Sequence, residues 1–129
     1  MKRQFLRVCL VWSSGPAYAE WVLFDENDRG MSTYVDPDTI RRKGDMVKVW
    51  ALTDYTIIRT VAGQSLLSSK HLNEFDCAGE RIRLLAFSNF SDNMGSGKLV
   101  FSNSDEQQWE PIEPGNVGQT LWKVACSKK

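Results

Sequence analysis

The sequence predicts an α+β fold that is mostly β, an antiparallel meander sheet with one C-terminal helix packed on it and tethered by a disulfide. Three observations lead there. Short stretches of branched and aromatic residues alternate with turn-forming residues along most of the chain. Near the C-terminus the apolar residues change to helical spacing. Two cysteines, Cys77 and Cys126, are available to join sheet and helix.

The first half of the chain contains strand-like segments separated by charged or proline-containing turns. In order, these predicted strands are residues 21–24, 32–35, 39–42 and 46–52. Pro37 cannot donate a ladder hydrogen bond, so the chain leaves the sheet or follows its edge there. The segment 46–52 is the strongest strand, because two sets of side chains alternate along it with the period of a two-faced sheet.

The second half continues in the same manner. Its predicted strands are residues 69–77, 80–89 and 98–102. Residues 53–68 show no clear pattern apart from a predicted loop at 62–64. Because tight turns can join only antiparallel neighbours, the short connections predict a meander.

The end of the chain is predicted to be helical. Asn116 and Gln119 have the spacing of a capping box. Apolar residues then fall on one face of a helix, at positions 117, 121, 124 and 125. We therefore expect a short helix over residues 117–126, lying on the sheet.

Length and composition limit the architecture to one domain. The chain has 129 residues, 42% hydrophobic and 25% charged, an ordinary globular composition. It contains no run of 18 apolar residues, so no transmembrane helix is predicted.

The N-terminus has the features of a secretion signal. Lys2 and Arg3 supply positive charge before a short apolar stretch, and Ala17 and Ala19 place small side chains before Glu20. We predict a signal peptide at residues 1–19, cleaved before Glu20, and a single domain at residues 20–129. The alternative is a disordered or helical N-terminal extension.

Charge and cysteine content agree with export. Without residues 1–19 the chain keeps 13 basic and 16 acidic side chains, a formal charge of −3, which argues against nucleic acid as a partner. Cys9 would leave with the signal, and Cys77 and Cys126 would remain as an even pair. In an oxidising compartment such a pair forms a disulfide. Two reduced, buried thiols in a cytosolic protein are the alternative.

Motifs for chemistry are weak or incomplete. His71 is the only histidine, so neither a catalytic triad nor a tetrahedral zinc site can be assembled from the usual residues. The 95–98 segment lacks the flanking residues of a phosphate loop, with Asp92 and Leu99 at the required glycine and Ser/Thr positions. In the calcium-like segment 25–30, Arg29 brings a positive charge to a ligand position. We predict no catalytic residue, no metal site and no cofactor.

Arg41, Arg42 and Lys43 form the densest basic cluster and are the candidate binding residues. Placed on a loop or sheet edge, they could contact an acidic partner, a glycan or a lipid head group. A solvated turn is the alternative.

Several segments together resemble the surface-adhesin protein E family. They cover nearly all of the chain after the predicted signal, in order: residues 34–44, 47–55, 74–77, 81–83, 94–97, 109–115 and Cys126. The resemblance implies a six-stranded antiparallel sheet with a C-terminal helix tethered by a bridge at Cys77 and Cys126. It also implies a non-enzymatic surface protein that binds host matrix components such as laminin and vitronectin.

Two functions follow as hypotheses. The first is an adhesin-like domain that contacts protein partners through its sheet face or edge, with a homodimer possible through an exposed edge. The second is a periplasmic envelope-accessory or small-ligand domain, with a pocket between helix and sheet near Trp122. Cys9 follows Val8, where a lipid-attachment site needs a small residue, so periplasm and cell surface both stay open as locations.

Overall fold

The computed structural model describes residues 20–127, and the strands of this segment form one antiparallel sheet. In chain order they are β1 (Val22–Glu26), β2 (Met31–Val35), β3 (Arg41–Lys43), β4 (Met46–Val61), β5 (Gln64–Asp76), β6 (Arg81–Phe90), β7 (Leu99–Asn103) and β8 (Glu110–Pro111). The spatial order is β1-β2-β4-β5-β6-β7, with β3 paired to β4 and β8 paired to β6. The predicted six-stranded meander is thus confirmed, with two short strands added at its margins.

The two central strands extend further than the sequence pattern indicated. Residues 53–68, which had no clear assignment, continue β4 and begin β5. Ala62 and Gly63 form the turn between them with φ values of 51° and 79°, as a two-residue hairpin requires. Ladder pairing is interrupted between Asp54 and Arg59. The resulting hairpin arm leaves three branched side chains exposed: Ile57, Ile58 and Val61.

The segment between β2 and β3 is a short 3₁₀ helix, Pro37–Thr39, instead of the start of an edge strand. Asp36 caps it, since its Oδ1 accepts a hydrogen bond from the Asp38 backbone N–H at 3.1 Å. The strand expected at 39–42 therefore begins only at Arg41. A second 3₁₀ turn, Asn93–Gly95, lies between β6 and β7.

The predicted C-terminal helix is present as α1, Val117–Ser127. Asn116 Oδ1 accepts a hydrogen bond from the Gln119 backbone N–H at 3.0 Å. Gln119 Oε1 in return accepts from the Gly115 N–H at 2.9 Å, one residue before the position that a capping box would use. Leu121 and Ala125 are buried, which fixes the face that α1 turns to the sheet.

The core lies between α1 and one face of the sheet. Its buried members are Val35, Ile40, Val47, Val49, Ala51, Phe75, Leu121 and Ala125. Trp122 packs against this cluster. Trp50 lies half-buried on the other face, across from Leu72.

Cys77 and Cys126 form the predicted disulfide. Their sulfur atoms are 2.05 Å apart and their Cα atoms 5.8 Å apart. The bridge joins the turn after β5 to the end of α1. Closing a loop of 49 residues stabilises a fold by at most about 4 kcal/mol in the chain-entropy model. An eleven-residue helix is marginal in isolation, so the bridge and the apolar face hold it together.

Two further predictions concern the signal peptide and transmembrane helices. The signal peptide at residues 1–19, with Ala17 and Ala19 before its cleavage point, lies outside the described residues. Within residues 20–127, no helix combines the length and apolar character required to span a bilayer.

Candidate binding surface

One face of the sheet carries α1, and the opposite face, here called the open face, carries a row of charged side chains. Residues paired directly across antiparallel strands point to the same face. On β3 and β4, Arg41 pairs with Lys48. Lys48 pairs in turn with Glu74 on β5, and Glu74 pairs with Arg83 on β6. The meander thus aligns four charges from four strands into one transverse row.

An open cleft of about 450 Å³ lies at the β3 end of this row. Its lining residues are Arg41, Arg42, Lys43, Met46, Lys48 and Glu74. Lys43 pairs with Met46 in the register, directly beside the charged row. The cleft therefore combines a methionine side chain with an excess of positive charge.

Arg83 and Arg81, farther along the open face, are fully engaged within the fold. Arg83 forms ion pairs with Glu74 at 2.7 Å and with Glu106 at 2.5 Å. Arg81 pairs with Asp76 at 2.7 Å. Both guanidinium groups also lie over the ring of Trp109, at 4.8 Å for Arg81 and 4.4 Å for Arg83. These contacts give the two arginines a structural role.

The environment of Asp76 agrees with that role. The hydrogen bond from Arg81, followed by the one from the Gly79 backbone N–H, lowers the pKa of the Asp76 carboxyl from its ordinary value of 3.8. The group is therefore a stable anion at neutral pH, bound to its partners.

Within the described part of the chain, the cationic side chains that line the cleft have fewer carboxylate partners than Arg81 and Arg83. Arg41 donates to the backbone carbonyl oxygens of Asp38 and Ile40, at 2.6 and 3.0 Å, which leaves its charge unneutralised. Among residues 20–127, no carboxylate lies within ion-pair distance of Lys43 or Lys48. These three side chains can therefore interact with an external anion.

The structure divides the predicted basic cluster between two faces. Arg41 and Lys43 lie on the open face, whereas Arg42 pairs with Val47, a core residue of the helix-covered face. Arg42 donates to the carbonyl oxygens of Gly44 and Cys126 instead. Sequence reasoning missed Lys48 and Met46 as members of the cleft. The alternation of 46–52 was visible, but the strand register that sets Lys48 beside Arg41 was not.

The remaining polar candidates have structural explanations. In the calcium-like segment 25–30, Asn27 Oδ1 accepts hydrogen bonds from the backbone N–H groups of Arg29 and Met31. This segment is therefore a turn stabilised by a side chain. His71 is hydrogen-bonded to Thr53 and Asn73, and desolvation lowers the pKa of its imidazole to about 4. Residues 20–127 contain no group of three or more His, Cys, Asp or Glu side chains placed to hold a metal ion.

The sequence predicted a small-ligand pocket between helix and sheet near Trp122. In the structure the partly buried Trp122 packs against the core cluster, which contains Leu121 and Ala125. A second shallow groove, of about 350 Å³, lies at the start of α1 and is lined by residues such as Ile82, Pro111 and Val117, without Trp122.

Comparison with known families decides the classification. The family model described as surface-adhesin protein E matches residues 21–127, nearly the whole described segment. The chain belongs to the surface-adhesin protein E family. The resemblance seen in the sequence is thereby confirmed, and membership indicates an exported, adhesin-like protein. No curated protein sequence matches the chain.

Solved structures of protein E from Haemophilus influenzae share the fold of this surface-adhesin E chain. One crystal form superposes with a TM-score of 0.67 at 12% identity, covering 87% of this chain and 91% of that one. A structure from a non-typeable strain gives a TM-score of 0.55 at 11% identity, covering 88% and 80%. At this identity the similarity establishes a common architecture, and the side chains of the cleft must be interpreted from this chain alone.

Proposed function

We propose that this domain is an exported, non-enzymatic binding module that holds an acidic protein surface against its open face. The observation that carries the proposal is the cleft in which Arg41, Lys43 and Lys48 converge without a carboxylate partner for the two lysines. Membership in a surface-adhesin family supports a role in binding over one in catalysis.

The chemistry of the cleft favours a protein partner with acidic side chains. Complementary charge steers association and suppresses wrong partners more than it raises affinity. Met46 and the half-buried Trp50 offer adaptable apolar contact beside the charges, and both residue types are enriched at interface centres. Host matrix proteins, which the family resemblance implies, are the partners to be tested first.

The proposal also includes the location of the protein outside the cytoplasm. Cleavage before Glu20 would release the domain into the periplasm or to the cell surface, and Cys77–Cys126 pairing suits either place. Mass measurement of the exported protein together with surface labelling of intact cells would separate the two.

The test is binding of the purified protein to immobilised laminin and vitronectin, measured by biolayer interferometry. The variant Lys43→Glu/Lys48→Glu reverses both unpaired charges of the cleft. We expect its affinity to fall at least about tenfold, because setting like charges against an acidic surface costs several kcal/mol, and about 1.4 kcal/mol corresponds to a tenfold change. Binding of the unaltered protein should also weaken with salt.

A matched control distinguishes binding at the cleft from an effect of the protein's net charge. Lys98→Glu/Lys123→Glu makes the same change in net charge at two exposed positions, in the loop before β7 and on α1. The proposal requires the control to bind like the unaltered protein. Equal loss in both variants would assign the binding to overall charge, and failure of the unaltered protein to bind either matrix protein would remove host matrix as the partner class.

A second copy of the chain is the other predicted partner. The outer strands β1 and β7 each have one unpaired edge in the described sheet order. Sedimentation velocity over a hundredfold range of protein concentration would decide whether two copies associate.

A further inference from the structure

The face that carries α1 is apolar only beneath the helix. Farther along the same strands it becomes polar, with six uncharged or neutral side chains: four in one transverse row and two more that follow along β5. This polar patch consists of Thr33, Thr53, Ser69, His71, Asn73 and Asn89. Two members of the patch, Thr33 and Asn73, are only 4% and 7% exposed. Fully buried polar side chains are uncommon, so their presence here needs an explanation.

Pairing in the sheet shows that the patch is continuous. Thr33 pairs with Thr53, Thr53 with Ser69, and Ser69 with Asn89, so one row crosses four strands. His71 adjoins that row through a 3.0 Å contact between its Nε2 and Thr53 Oγ1. Asn73 Nδ2 lies 3.1 Å from His71 Nδ1.

Thr33 provides an independent sign that the patch is incomplete. Its side chain is only 4% exposed, yet its Oγ1 has no hydrogen-bond partner within the described structure. A buried hydroxyl without a partner costs free energy and is rare in folded proteins. Thr33 adjoins Thr53 in the row, and its Oγ1 is buried at this end of the patch.

An aromatic platform borders the patch. Phe87 pairs with His71, and Phe101 pairs with Asn89, so both rings lie on the same face. Their ring centroids are 5.7 Å apart, and Phe101 is 47% exposed. An exposed ring beside a polar row can stack on the apolar face of a ligand while the row bonds its polar edge.

The charges in and beside the polar patch indicate which class of ligand it can bind. Because the pKa of His71 lies near 4, its imidazole is neutral at physiological pH. Asp25, paired with Thr33 at the end of the row, is an acceptor that disfavours anions. The hydroxyl and amide groups can both donate and accept, as vicinal hydroxyls of a ligand require.

We propose that the polar patch and the Phe87–Phe101 platform form a binding site for an uncharged oligosaccharide. Ser69 Oγ donates to Asn89 Oδ1 at 2.7 Å, which leaves the amide N–H groups of Asn89 as donors and Ser69 Oγ as an acceptor for sugar hydroxyl groups. The apolar face of the sugar ring stacks on Phe101. This site is separate from the cleft of Arg41, Lys43 and Lys48, which lies on the opposite face. It does not depend on the protein-binding function proposed above.

The experiment is an NMR titration of the ¹⁵N-labelled protein with chitotriose, cellotriose and maltotriose. We expect saturable shifts of the Asn73 and Asn89 side-chain amides with at least one of them. Asn89→Ala and Phe101→Ser should each weaken that binding at least about fivefold, as expected for a lost hydrogen bond or stacking contact. Thermal unfolding would verify that both variants stay folded.

Two controls keep the outcome decisive. Ser88→Ala changes the neighbouring residue of β6 on the opposite face and should bind like the unaltered protein, as should Lys43→Glu/Lys48→Glu. Absence of saturable shifts with all three sugars would overturn the proposal. Shifts that saturate but are unaffected by Asn89→Ala and Phe101→Ser would overturn it as well, because binding would then lie elsewhere.

Discussion

The guanidinium of Arg42 donates a hydrogen bond to the carbonyl oxygen of Cys126, at 3.2 Å, across 84 residues of sequence. The carbonyl groups at the end of a helix lack partners within it, and a cation there also offsets the helix dipole. Alternation along β3 places Arg42 on the face of α1 and its two neighbours on the face of the cleft, so Arg42 alone can reach the end of the helix.

Replacing Arg42 with alanine should therefore destabilise the fold by about 0.5–1 kcal/mol, the usual contribution of a cation at a helix C-terminus. Urea unfolding measures this change. Arg41→Ala is the matched control on the open face and should change the free energy of unfolding by less. An equal loss in both variants would contradict a special role for the Arg42–Cys126 contact.

Reducing the disulfide should destabilise the domain by up to about 4 kcal/mol. Cys77 and Cys126 close a loop of 49 residues that holds α1 on the sheet. Urea midpoints with and without dithiothreitol would show the difference. The double variant Cys77→Ala/Cys126→Ala should unfold near the midpoint of the reduced protein and respond no further to dithiothreitol.

Stability should fall as the pH is lowered from 6.5 to 4. Over this interval the unfolded His71 binds a proton, with an ordinary pKa of 6.5, while burial holds the folded imidazole neutral down to a pKa of about 4. The unfolded state therefore takes up more protons, and unfolding becomes easier by no more than about 3 kcal/mol.

The free energy of unfolding at several pH values, compared between the unaltered protein and His71→Gln, isolates this effect. The variant should lose most of the slope between pH 6.5 and 4. Asp76 acts at lower pH, because its lowered pKa gives a stability that is complete above 3.8 and lost only below that value. An unchanged slope in His71→Gln would assign the acid sensitivity to other groups.

Ser68 fixes the loop between β6 and β7 to the open face. Its buried hydroxyl donates to the carbonyl oxygen of Asp92 at 2.6 Å and accepts from the Gly95 N–H at 2.8 Å. Ser68→Ala should cost about 1–3 kcal/mol, because both backbone groups lose their partner. Faster hydrogen exchange at Gly95 would report the loosened loop.

Ser65→Ala provides the comparison for that variant, since Ser65 is an exposed residue of the same strand. It should leave both the urea midpoint and the Gly95 exchange rate unchanged. If Ser68→Ala behaves in the same way, the two short contacts contribute nothing to loop stability.

Local sequence patterns predicted those parts of the fold that are buried on one side. The first half of β4 was identifiable because Val47, Val49 and Ala51 face the helix and alternate with residues of the open face. Beyond Thr53 the arm has no helix to cover it, so the alternation fades and the strand was missed. The 3₁₀ turn at Pro37–Thr39 was missed because a single turn leaves no periodicity.

The candidate cleft was predictable only in part. Arg41 and Lys43 were found by local charge density, which needs no knowledge of the fold. Lys48 belongs with them because β3 and β4 pair in one register, a relationship that residue spacing alone does not fix. The polar patch joins β2, β4, β5 and β6, so it becomes visible only when these strands are aligned.

The Cys77–Cys126 disulfide at the end of α1 also makes the stability of the domain depend on its redox environment. In a reducing compartment the disulfide does not form, so this eleven-residue helix is held by its apolar face without the covalent link. The chain before oxidation is therefore easier to unfold than the oxidised domain. Formation of the bridge then makes detachment of α1 from the sheet less favourable.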